Sequence, residues 1–158
     1  MSSAFYPPPA FAFAVAVAAP GSAGSSAITD AAFMEVTGID SRVDVEEVVE
    51  GGVNNYVHQL PGVTKHSNLV LKRGYVTQSS ALAAWAMQCV GSTLGRPIST
   101  QTLNVSLLGA TGQPLVVWTF FNAWPVKWEI GALDASNTST VLTQSLEFSY
   151  TTVSNQQV

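Results

Sequence analysis

His58 and His66 lie close together with Ser67 directly after the second, and a histidine beside a serine is the pairing that hydrolases use to activate a hydroxyl. The rest of such a site is missing. No Gly-x-Ser-x-Gly turn is present to hold a serine on an elbow, and the nearby acids Glu46, Glu47 and Glu50 belong to a run of charge rather than to one placed partner. Both histidines are therefore expected at a surface or a subunit interface. The single Cys89 excludes an internal disulfide and reads as a small packed hydrophobe. With two histidines the usual zinc spacings are absent, so no metal and no other cofactor is implied. Trp118, Trp124 and Trp128 crowd one segment and could stack sugars as in a lectin. Packing in a core or a subunit interface is the simpler account, because Trp118 alternates with polar Thr119.

Six of the ten acids, Glu35, Asp40, Asp44, Glu46, Glu47 and Glu50, fall within sixteen residues, and Lys65, Lys72 and Arg73 follow. A calcium loop would need tighter carboxylate spacing around a glycine turn. Two complementary patches on one chain instead favour head-to-tail association of identical copies, which makes rings or filaments.

The elements that carry these residues are mostly short strands. Residues 10–19 alternate Phe11, Phe13, Val15 and Val17 with alanines, a period of two that predicts a strand rather than the apolar core of a signal peptide, and no Lys or Arg precedes it. Pro7-Pro8-Pro9 makes residues 1–9 an extended lead-in, and 20–26 is a Gly/Ser-rich turn. Short runs at 33–36 and 42–49 lead to Gly51-Gly52 with Asn54-Asn55 behind it, after which 56–60 runs back, so a long protruding hairpin is predicted over about 43–60. Residues 67–73 alternate again. One helix is predicted over about 79–91, capped by Ser79 or Ser80 and stopped at Gly91, with Leu82, Trp85, Ala86, Cys89 and Val90 on its apolar stripe. Strands are predicted at 102–108, 114–122, 125–130 and, as a long final one, 138–152, where Leu142, Leu146, Phe148 and Tyr150 share a face. The pattern predicts a mainly β domain, a small barrel or sandwich of two packed antiparallel sheets with one flanking helix. The strand at 10–17 lacks edge charges, which predicts that its edge pairs with a neighbouring copy.

The chain has 158 residues and 16.6 kDa, enough for one domain spanning 1–158. Only 10% of its residues are charged against about 25% in an average soluble domain, while 47% are apolar and the mean hydropathy is +0.26. So few charges cannot cover an isolated globule, and much of the surface is expected to be buried against other subunits. A net charge of −4 is the wrong sign for neutralising phosphates, so nucleic-acid recognition is not expected. No stretch approaches the roughly 18 apolar residues of a membrane-spanning helix, so stable membrane insertion is not expected.

Two longer segments carry a resemblance. Leu60-Pro61-Gly62-Val63-Thr64-Lys65, continuing through Asn68 and Leu71-Lys72-Arg73-Gly74, resembles the LPG-x-TK-x-x-N-[IL]-x-LKRG segment of tail-tube proteins from contractile phages and phage-like contractile injection systems. Trp118-Thr-Phe-Phe-Asn122-Ala-Trp124-Pro125-Val-Lys127-Trp128 is similar to their W-x-F-x-NAWPVKW segment, and a Leu-x-Ala-Ser stretch and a long final strand follow. The opening strand and Phe33-x-Glu-Val-x-Gly-Ile-Asp40 fit the family as well.

The resemblance implies a structural, non-enzymatic subunit that forms hexameric rings stacked into a hollow tube within a contractile sheath. It implies that the hairpin, with Glu46, Glu47, Glu50, Val53, Asn54, Asn55, Tyr56 and Val57, reaches the adjacent ring, where Lys65, Lys72 and Arg73 would offer a complementary patch. The implied partners are the protein itself, a sheath protein, baseplate or spike and terminator proteins at the ends, and protein cargo in the lumen. Assembly is expected in the producing cell's cytoplasm without a signal peptide, for function in a virion or a released particle. The neighbouring alternative is a tube or effector-carrier ring of a type VI secretion system. A β-sandwich enzyme or lectin is a third.

Overall fold

The computed structural model describes residues 12–18, 28–52, 55–75, 80–91, 95, 97–133, 136 and 141–157, with the backbone alone at 28–32. Among the described residues nine strands and one helix follow in the order β1 (Ala12–Ala18), β2 (Ile28–Thr37), β3 (Arg42–Val48), β4 (His58–Lys65), β5 (Leu69–Gly74), α1 (Ala81–Val90), β6 (Gln101–Leu108), β7 (Pro114–Ile130), β8 (Thr143–Ser149) and β9 (Thr152–Gln157). Seven strands pair in the order β6-β1-β2-β5-β8-β7-β9, and β6 also pairs with β7. The pairing thus returns to its start. Six strands close round one core, β9 lies on the outer side of β7, and β3 and β4 form a separate two-stranded sheet. The mainly β architecture with one helix and a hairpin is the one the alternation predicts.

β1 is not an edge. It is paired to β2 on one side and to β6 over its whole length on the other. Its alternation explains the placement: Phe13, Val15 and Val17 face the core, and alanines fill the outer row, so no charge is needed to guard an edge that the ring already closes.

β7 runs for 17 residues because a bulge bends it where two strands were predicted. Between Leu103 and Gln101 of β6 it advances from Phe120 to Ala123, one residue more than its partner, and Asn122 takes φ 53, a left-handed backbone that asparagine tolerates. The predicted long last strand breaks opposite that bulge. β8 pairs with the second half of β7 and β9 with the first, and the step at Tyr150 and Thr151 lies across from Asn122 and Ala123. Residues 138–140 of that predicted strand lie outside the described residues.

The core gathers Val15, Leu69, Leu71, Leu103, Val105, Phe120, Leu146 and Phe148, all fully buried, each stabilising by about 1.5–3 kcal/mol. α1 seals it. Ser80 caps the helix by accepting the Ala83 N–H at 3.1 Å, and Leu82, Trp85 and Ala86 are buried, with Trp85 stacked 5.5 Å from Phe148. The stripe ends one turn early, Cys89 being half-buried and Val90 exposed.

Candidate assembly surface

The hairpin of β3 and β4 is longer at its base than the sequence predicts, running from Arg42 paired with Lys65 to Val48 paired with His58. Gly51-Gly52 turns the chain, and Gly52 has φ +98, which a side chain would strain. Near the root, β4 advances from Pro61 to Thr64 while β3 goes from Val45 to Val43. Gly62 permits this bulge, since a Cβ there would meet the Asp44 carbonyl at 3.0 Å. Of the eighteen large apolar side chains exposed among the described residues, eight lie on this arm: Val43, Val45, Val48, Val49, Tyr56, Val57, Leu60 and Val63. A two-stranded hairpin with this surface in water is at best marginally stable. Asn55 is also exposed, whereas Val53 and Asn54 lie outside the described residues.

One ion pair on the arm lies at its root. Lys65 pairs with Asp44 and holds its carboxyl below the usual range, chiefly through the hydrogen bond. Glu50 lies 3.6 Å from His58, whose ring stands perpendicular to that of Tyr56 at 5.1 Å between centroids. Glu46 and Glu47 are exposed. Such exposed pairs contribute about 0–1 kcal/mol each.

The three cations predicted as a complementary patch are not one surface. Lys65 is on the hairpin itself, Lys72 faces outward on β5 with Glu35 at 3.7 Å, and Arg73 is only 2% exposed. Alternation on β5 separates the last two. Arg73 points inward, over the Phe33 ring at 5.0 Å and with Nε donating to Gln144 Oε1 at 3.4 Å.

The root of the arm is fastened by residues whose role the sequence reading did not find. Ser67 donates its backbone N–H to Asp40 Oδ1 at 2.7 Å and its hydroxyl to Oδ2 at 2.5 Å. These bonds hold the Asp40 carboxyl below the ordinary aspartate value, the hydroxyl contributing most. His66 Nδ1 lies 2.9 Å from the Asp40 carbonyl, and the Tyr150 hydroxyl donates to the carbonyls of Gly38 at 2.9 Å and Asp40 at 3.2 Å. Gly38 has φ +85, and a Cβ there would fall 1.9 Å from the Asn68 carbonyl oxygen. The two linkers, 38–41 and 66–68, are thereby tied together and to the end of β8. Position was the available signal, since Asp40 and Ser67 bracket the hairpin in sequence.

This geometry also answers the hydrolase reading of His66 and Ser67. The serine hydroxyl donates to the Asp40 carboxylate and the imidazole faces the Asp40 carbonyl, so Ser67 and His66 do not form the serine-to-imidazole hydrogen bond of a hydrolase. Trp118 and Trp128 are half-buried against the core, Trp128 opposite Leu146, and they do not form an open stacking platform. Trp124 is half-buried, Pro125 buried, and Lys127 pairs with Glu129 at 2.5 Å. Asn68 donates to Glu147 at 2.7 Å, Leu60, Pro61 and Thr64 are exposed on the arm, and Gly74 ends β5 opposite Thr143.

A family profile described as T4-like virus tail tube protein gp19 matches residues 9–154. No curated protein sequence matches significantly. Among solved structures, the chain is similar to one in the 6-fold symmetrised baseplate of the anti-feeding prophage (AFP), at 26% identity and TM-score 0.81, with 100% of this chain and 99% of that one covered. It is similar to another in the extended sheath-tube complex of the extracellular contractile injection system PVC, at 24% identity and TM-score 0.77, covering 98% and 95%. Hcp1 from Flavobacterium johnsoniae shares the fold at 15% identity and TM-score 0.53, covering 94% and 97%. The chain belongs to the T4-like virus tail tube protein family.

Proposed function

We propose that this tail tube protein is the inner-tube subunit of a contractile injection particle, forming hexameric rings that stack through the β3–β4 arm. The observation that carries the reading is the arm itself. Eight exposed apolar side chains stand on a two-stranded projection whose root is held by the Asp40–Ser67 clasp, a costly arrangement for a monomer and a useful one for a subunit that must reach a neighbour. Glu46, Glu47 and Glu50 with Val53, Asn54, Asn55, Tyr56 and Val57 form the reaching end, and Lys72, outward on β5 and paired with Glu35, supplies the exposed cation of the receiving side. A sheath protein outside the tube, baseplate or spike and terminator proteins at its ends, and protein cargo within it complete the partners, in keeping with the assemblies from which the similar chains come. Assembly takes place in the producing cell and function in the released particle; among the described residues no helix is long and apolar enough to cross a membrane. The role is structural rather than catalytic. Likeness to Hcp1 is a likeness of fold and gives the type VI reading less support.

Negative-stain microscopy of the purified protein, paired with sedimentation, tests this. Rings or tubes are expected. Only a 16.6 kDa species at micromolar concentration would overturn it.

A further inference from the structure

The outer surface of the strand ring is divided by charge. On one side the outward row Glu35, Lys72, Ser145 and Glu129 runs across β2, β5, β8 and β7, and the next row adds Glu147 and Lys127. On the other side a four-strand face, made by β1, β6, the first half of β7 (114–121) and β9, carries no charged side chain. One of its rows reads Ala14, Ser106, Val117 and Gln156. The next reads Ala16, Asn104, Thr119 and Ser154. The residues between these rows, such as Val105 and Leu103, point into the core, so the assignment of faces follows from the alternation of burial.

This face does not look like a docking surface. Tight interfaces are anchored by aromatic, Met or Arg side chains in their centres, and here the large apolar residues Leu108, Leu115 and Phe121 stand at the margins while half-buried Val117 is the largest apolar side chain within the two rows. Apart from Val117 the two rows hold only alanine, serine, threonine, asparagine and glutamine, which offer a passing chain neither a large apolar anchor nor a fixed charge. The apolar contacts that assembly needs lie elsewhere, on the hairpin.

Resting on the tube reading above, we infer that the β1-β6-β7-β9 face is the wall of the channel, and that it is built to pass polypeptide cargo of either sign of charge without holding it. A wall of one sign would retain oppositely charged cargo by a potential that the enclosed geometry concentrates. Four outward alanines on β1, with uncharged side chains on β6, on residues 114–121 of β7 and on β9, remove that potential.

The test places a small maleimide-linked gold label in tubes of Ser106→Cys and, separately, of Ser145→Cys from the charged side, with the unchanged protein reporting the background from half-buried Cys89. Electron microscopy should show label on the tube axis for Ser106→Cys and not for Ser145→Cys. Label on the outer surface for Ser106→Cys, or a site shielded from the reagent in the tube, overturns the inference while the tubes themselves uphold the tube reading. Failure of the unchanged protein to form tubes overturns both. In a second arm, unchanged tubes should retain neither fluorescent polyglutamate nor polylysine peptides, and an Asn104→Lys, Ser106→Lys variant should retain polyglutamate at least tenfold more, in a salt-sensitive way. Retention of either peptide by unchanged tubes overturns the indifference to charge.

Discussion

Ser67 gives both its backbone N–H and its hydroxyl to the carboxylate of Asp40, a residue 27 positions earlier, and the two linkers of the hairpin are joined by that grip. The hairpin therefore leaves the ring at a defined angle, which a segment that must find a neighbouring subunit needs. The folded carboxyl is held below the ordinary aspartate value, so the grip is fully present above that value and is lost as pH falls from it through the lowered one. Amide protection over 42–65, taken relative to the intrinsic exchange rate at each pH, should fall in that acid window while 69–74 stays protected. Asp40→Asn should show the fast exchange already at neutral pH. The Asp44 carboxyl is lowered by Lys65 in the same arm, so the measurement belongs in a Lys65→Met background, where the remaining acid step reports Asp40.

Gly38→Ala should be costly for two reasons that reinforce each other. The backbone sits at φ +85, and the added methyl would fall 1.9 Å from the Asn68 carbonyl oxygen, a backbone atom that cannot swing away. Left-handed strain alone costs about 1–3 kcal/mol, and the clash adds to it. Denaturant unfolding of the dissociated subunit should show a fall larger than that of Gly51→Ala, where a Cβ meets nothing within 4 Å.

Trp85 holds α1 on the core. It is 7% exposed and stacks on Phe148 at 5.5 Å, so Trp85→Ala should lower stability by about 3–5 kcal/mol. Val90→Ala, at the exposed end of the same helix, should stay within about 0.5 kcal/mol. Equal melting temperatures for the two variants would remove α1 from the core.

Much of this was legible because strand alternation fixes facing. Leu146, Phe148 and Tyr150 are buried in the order their spacing requires, and Ser80 and Gly91 bound the helix as their types suggest. What alternation does not carry is which strand lies beside which. β1 looked like an unguarded edge because its outer row is alanine, and only the closure of β6 onto β1 and β7 shows that it has no edge. The split expected between 122 and 125 fails for a local reason: Asn122 accepts a left-handed backbone and bends β7 without ending it. Arg73 was misplaced because charge suggested surface, while its position between Lys72 and Gly74 already put it on the inward row. The clasp is a contact between residues distant in sequence, and no spacing rule points to it.

The hairpin tip should control tube growth separately from ring formation. Tyr56 and Val57 are 58% and 44% exposed, at the far end of an arm that carries the exposed Glu46 and Glu47 along its length and the Lys65–Asp44 pair at its root. Burying such side chains against a neighbour is worth about 25 cal/mol per Å² of apolar surface, whereas each exposed ion pair adds about 0–1 kcal/mol, so the apolar tip carries the affinity and the charges set register. Deleting 53–57, or the single change Tyr56→Asp, should leave rings intact and stop their growth into tubes, because the root clasp and the strand ring are untouched. Reversing Glu46 and Glu47 to Lys should weaken stacking most at low salt and progressively less as salt screens the exposed charges, since the Debye length falls to about 8 Å at physiological ionic strength. Tube length distributions by electron microscopy, with ring content measured by sedimentation of the same samples, read both effects. Tubes of normal length from the 53–57 deletion would take the arm out of the stacking contact and leave its exposed valines to a contact within the ring.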